Sequence, residues 1–150
     1  MNSYLVPGLQ SSPTIFRALF REVSDERLDQ PTAPGRFTPR EVIAHLADWE
    51  PILRDERMRD VLEQPGRTVA AYDEGEIAER NRYRESDPEA SLQTFAAERA
   101  KTVAFVQGLT EAQMDTPMIH PERGTMTIRD LANTMLGHDL YHIEQLLTTK

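Results

Sequence analysis

Between Thr127 and Leu147 the apolar residues Ile128, Leu131, Met135 and Leu146 recur at steps of three and four, and the two positions that complete the stripe are His138 and His142. That spacing is one face of a single α-helix. Thr127 is placed to cap its first turn, with Asp130 three residues on as a carboxylate variant of the capping box. Residues four apart lie one above the other on a helix, so both imidazoles can point at one atom. An unpaired imidazole within an apolar stripe is costly, and a metal ion shared with a third ligand would account for both histidines.

A third histidine on an apolar helix face is available. Thr38-Pro39-Arg40-Glu41 supplies a cap, a proline at the first helical position and the reciprocal glutamate of a capping box. The stripe that follows runs Val42, His45, Leu46, Trp49, Ile52 or Leu53, then Val61 and Leu62. Pro51 falls inside it and should kink or interrupt the helix, because it cannot donate to the carbonyl of Ala47. His45, His138 and His142 on one divalent ion would leave a coordination position for water or substrate, the pattern of a catalytic site. Zinc, nickel, iron and manganese all accept imidazole, so ligand type leaves the metal open. Asp48, one turn from His45, could join as a ligand or orient His45 from behind, and Asp139 adjoins His138. Gln145, one turn past His142, could bind substrate or a metal-bound water. Trp49 packs the core or lines a substrate pocket. The alternative is that each histidine is a core imidazole hydrogen-bonded to backbone or carboxylate, but three in one small bundle favour a shared purpose.

The remaining segments frame this pair of helices. A first helix is expected from Ser12, with Pro13 at its first position and Ile15, Phe16, Leu19, Phe20 and Val23 on its apolar side. A third starts at Asp87-Pro88 and carries Leu92, Phe95, Val103 and Val106. The link from Gln64 to Asp87 has room for a short helix around Glu74 to Arg84, and residues 110–126 have room for a short strand pairing near Met118–His120 and Thr125–Thr127. His120, bounded by Ile119 and Pro121 in a polar loop, is expected at the surface. Four amphipathic segments in one 150-residue domain, with a short first connection and long 2–3 and 3–4 connections, predict an all-α four-helix bundle. The long 2–3 link permits parallel neighbours, and hence an up-down-down-up order.

Composition excludes several alternatives. A net charge of -8 without a basic cluster argues against nucleic acid. No apolar run is long enough for a bilayer span, and the first residues form no export signal, so no membrane partner and a cytoplasmic location are expected. Without cysteine, a metal site must use nitrogen and oxygen, and any nucleophilic thiol must arrive with a cosubstrate. No Gly-rich phosphate loop, nucleophile elbow or H-E-x-x-H motif is present.

The pieces Arg40-Glu41-Val42-Ile43-Ala44-His45-Leu46-Ala47-Asp48-Trp49-Glu50 and Gly137-His138-Asp139-Leu140-Tyr141-His142-Ile143-Glu144-Gln145-Leu146 resemble the DinB/YfiT-like family of metalloenzymes, as does the lead-in Gly124-Thr125-Met126-Thr127-Ile128-Arg129-Asp130-Leu131. The resemblance spans residues 12 to 148. It implies an up-down-down-up bundle, often dimeric, with a nickel or zinc site whose ligands here would be His45, His138 and His142. It also implies a small-molecule substrate and, by likeness to thiol S-transferases that use bacillithiol or mycothiol, a low-molecular-weight thiol. The expected activity is therefore thiol-dependent S-transfer to a small electrophile. A metal-dependent hydrolase and a non-enzymatic metal-binding or helical interaction module are the alternatives.

Overall fold

In a computed structural model, which describes residues 4–148, the chain order is α1 (Leu5–Phe20), α2 (Asp25–Leu28), α3 (Pro39–Pro51), a π-type stretch (Ile52–Arg59), α4 (Asp60–Glu63), α5 (Glu74–Arg80), α6 (Pro88–Gln107), α7 (Glu111–Met114), a hairpin of β1 (Pro117–His120) and β2 (Gly124–Thr127), and α8 (Ile128–Leu147). The four bundle helices are α1, α3 with its continuation, α6 and α8. No helix among the described residues is long and apolar enough to cross a membrane.

Side-chain contacts give the direction of each helix. Gly8 faces Leu136 and Ser12 bonds Asp139, so α1 and α8 run the same way. Arg17 reaches Glu89 while Arg99 reaches the Leu9 carbonyl, so α1 and α6 are antiparallel. Arg40 bonds the Ser86 carbonyl, Glu50 bonds Arg99 and Arg54 approaches Thr102, so α3 and α6 are parallel. The order is up-down-down-up. The link over residues 64–87 returns the chain to the start of its parallel neighbour.

The helix starts follow local chemistry. Thr38 Oγ1 accepts from the Glu41 N–H while the Glu41 carboxylate accepts from the Thr38 N–H, a complete capping box with Pro39 behind it. The same reciprocal pair forms at Thr127 and Asp130, and Asp87 caps α6 ahead of Pro88. The first helix departs from expectation. It begins at Leu5, not Ser12, and Pro13 sits in its interior. Leu5, Leu9 and Phe16 are fully buried on its inner side. Burying a large apolar side chain contributes about 1.5–3 kcal/mol, so together they offset a mid-helix proline that costs about 3 kcal/mol. Ser12 is not a cap, and its hydroxyl donates to Asp139.

Pro51 does not stop its helix. The next eight residues, Ile52–Arg59, continue in wider π-type turns before α4 resumes the α geometry. The helix therefore extends past the bundle's middle, and Trp49, Leu53 and Arg57, at steps of four, all face one cavity. In the hairpin, Met118 pairs with Met126 and His120 with Gly124, whose positive φ suits the turn. Strand alternation buries Met118 and His120 together on the inner side. The backbone of Gly66 and Val69 bonds β1 and anchors the long link to it.

Candidate metal centre

His45 comes from the middle of α3, and His138 and His142 come from successive turns of α8, which runs antiparallel to it. Nε2 of His45 lies 3.0 Å from Nε2 of His138, and Nε2 of His142 lies 3.1 Å from the same atom. Ligand atoms of all three lie within 4.8 Å of one another. His45 is fully buried and His142 is buried, while His138 is half-buried and faces the cavity.

The protonation states follow from the surroundings. Burial pushes His45 well below the ordinary histidine value, and the neighbouring His138 and His142 push the same way. Burial, then His142, lowers His138 to about 4. His142 is lowered by burial too, opposed by its bond to Gln145. The rings are therefore neutral at pH 7. His142 Nδ1–H donates to Gln145 Oε1 at 3.0 Å, which leaves the lone pair on the inward Nε2. Gln145 is itself held, its amide donating to the Phe37 carbonyl at 2.7 Å. Nitrogens bound at about 2.0–2.1 Å to one tetrahedral ion stand about 3.3 Å apart, close to the 3.0 and 3.1 Å found for two of the three pairs. Three inward imidazole nitrogens cannot all satisfy one another with hydrogen bonds. This donor set fits a divalent cation.

Among the other residues singled out from sequence, Gln145 holds the His142 ring instead of facing the open side of the cluster. Substituting it with leucine is expected to weaken metal affinity by about 10–100-fold while the bundle stays folded. Metal titration of the purified variant checks this. Asp48 turns away from the cluster and accepts from the Asn81 side chain at 2.7 Å, so it neither joins nor orients His45, whose Nδ1 has no hydrogen-bond partner. A backbone that places His45 inward leaves Asp48, three residues on, half-buried at the side of the helix. Asp139 also points elsewhere. It is buried against Arg99, with contacts of 2.7 and 3.0 Å, because its position on α8 faces α1 and α6. Trp49 both packs the core and lines the cavity, its ring 5.4 Å from that of His45.

Two groups lie outside the sequence reading. Arg99 bonds Glu50 and Asp139 together, all three only 2 % exposed, and Ser12 donates to the same Asp139 carboxylate. This network ties all four bundle helices just behind the histidines. His120 is buried, contrary to its expected surface place, and lines the cavity with Arg57. The alternation of Met118 and His120 was the one available signal. The cavity measures about 840 Å³, within the range of small-molecule sites, and reaches the cluster through His138.

A model of the DinB superfamily matches residues 9–146. A Bacillus licheniformis protein named "Putative metal-dependent hydrolase" is 27% identical over 142 residues, which cover 94% of this chain and 80% of that one. The Bacillus subtilis protein named "Putative metal-dependent hydrolase YfiT" is 24% identical over 139 residues, 92% of this chain and 78% of that one. Among solved structures, YfiT from Bacillus subtilis superposes with a TM-score of 0.87 at 23% identity, covering 97% of this chain and 83% of that one. TT2238, a four-helix bundle protein, superposes with a TM-score of 0.69 at 19% identity, covering 96% of each chain. At such identities these two structures establish the fold alone.

Proposed function

The chain belongs to the DinB superfamily, and on that premise we propose that it is a divalent-metal-dependent hydrolase of small molecules, with His45, His138 and His142 as the metal ligands. The observation that carries this is the convergence of three inward Nε2 atoms at 3.0 and 3.1 Å beside a cavity of about 840 Å³. The names of the relatives as metal-dependent hydrolases support the same reading.

Each residue of this chain has a definable task. His45 and His142 form the buried floor of the site, and His138 forms its open edge toward the cavity. Gln145 fixes the His142 tautomer and ring plane through Nδ1. Trp49 and Met135 supply apolar surface to the cavity wall. A bound divalent ion there would supply Lewis acidity and lower the pKa of a nucleophile at neutral pH. Zinc and nickel are the proposed ions, with iron and manganese as alternatives.

A thiol-dependent S-transferase is the second reading, with bacillithiol or mycothiol as the class of cosubstrate. Two observations favour it. The cavity measures about 840 Å³, and the chain contains no cysteine of its own. Turnover assays on the metal-loaded protein with candidate electrophiles separate the two readings. Product formation that is unchanged when thiol is omitted is expected for the hydrolase. An absolute requirement for thiol would replace hydrolysis with transfer.

A further inference from the structure

The cavity that His138 lines also carries a buried arginine that forms no ion pair among the described residues. Arg57 is only 6 % exposed, yet among the described residues its guanidinium makes no ion pair. Nη2 donates to the Ala70 carbonyl at 3.3 Å, Nη1 faces His120 Nε2 at 3.3 Å, and Nε has no hydrogen-bond partner. Its Cζ lies 5.6 Å from the ring centroid of Trp49 and 5.7 Å from that of Tyr72. Other buried arginines here are treated differently. Arg99 has Glu50 and Asp139, and Arg54 has Asp55 and Glu98.

The tautomer of His120 sharpens the point. Its Nδ1 accepts from the Glu122 backbone N–H at 3.2 Å, so the ring proton is on Nε2. Burial and the adjacent guanidinium keep that ring below the ordinary histidine value, hence neutral. Nε2–H of His120 and Nη1–H of Arg57 are then two donors 3.3 Å apart with no acceptor between them. A desolvated guanidinium and an imidazole N–H turned toward the same point are the recognition chemistry of an oxyanion. Glu74 and Glu122 also line this cavity; Glu122 and Glu56 favour the charged guanidinium from a distance, but neither forms an ion pair with it.

We propose that Arg57 and His120 form an oxyanion subsite that takes a carboxylate or phosphate group of the substrate while the reacting bond lies over the histidine cluster. The substrate class is a small anionic molecule, anchored by its charged end on the π-type stretch after Pro51 and the β1 strand. Assigning this subsite to the substrate rests on the metal-dependent reading above, but anion binding at Arg57 does not require the ion.

The test titrates inorganic phosphate and, separately, benzoate into metal-free and metal-loaded protein, following the fluorescence of Trp49, the chain's single tryptophan. Saturable binding of at least one anion to the metal-free protein is expected, and the tighter of the two identifies the group as phosphate or carboxylate. Arg57→Gln should weaken that binding by about tenfold to a hundredfold, the range for a charge-assisted hydrogen bond, with bound metal unchanged. His120→Ala should weaken it less, and serves if the Arg57 variant does not fold. Equal affinity in the variants, or no saturable binding of either anion, would overturn the subsite. Binding that needs the ion and ignores Arg57 would overturn it as well and leave the metal reading standing. Anion binding in a protein that takes up no metal would do the reverse.

Discussion

His45→Ala is expected to strip the protein of its metal and its activity together. The substitution removes the one imidazole that α3 contributes to the cluster, leaving two on a single helix and no donor facing them. Loss of a supporting residue such as Gln145 costs about 10–100-fold in affinity, and loss of a ligand itself must exceed that. Elemental analysis of untagged protein purified without chelator is the measurement. The parent should carry close to one equivalent of nickel, zinc, iron or manganese, and the variant none. The fold should survive, because His45 Nδ1 has no partner to orphan and the neighbouring packing of Val42, Leu46 and Trp49 remains. If the parent takes up none of these ions after incubation with each, the three histidines are core residues and a helical interaction module becomes the better account.

The second large effect falls on stability. Arg99→Met should destabilise the bundle by about 3–5 kcal/mol, the usual consequence of removing one partner from a buried ion pair. Glu50 and Asp139 would be left side by side, each 2 % exposed, without their shared cation. Because a domain of this size has only about 5–15 kcal/mol to lose, a marked drop in the denaturant midpoint is expected. Replacing all three charged residues with apolar ones of similar volume should recover much of that loss, since it removes the unpaired charges as well. A midpoint for Arg99→Met equal to that of the parent would mean that the network does not stabilise the folded bundle. The variant should also loosen the histidine cluster, because Asp139 adjoins His138.

How much of this was legible beforehand varies by element. The starts of α3, α6 and α8 could be read from Thr38-Pro39-Arg40-Glu41, Asp87-Pro88 and Thr127 with Asp130, because a cap and its partner lie within one turn of each other. The short pairing near Met118–His120 and Thr125–Thr127 was readable because its two strands are close neighbours in the chain. The start of α1 was misread because Ser12-Pro13 is a good local cap, whereas the burial of Leu5 and Leu9 that overrides it depends on α8 and α6. Asp48 and Asp139 were plausible neighbours of ligands by spacing alone. One turn of helix does not say which of several partners a carboxylate will meet.

Residues a few positions apart settle the helical periods, the caps that start α3, α6 and α8, and the three histidines on apolar faces. Packing between distant segments brings His45 and His138, 93 positions apart, to one point, gathers Glu50 and Asp139 about Arg99, and buries Arg57 and His120 without an acceptor between them. A charge or an imidazole is costly or useful according to what lies within a few ångströms of it. In this chain those neighbours come from other helices and from the link that follows Pro51.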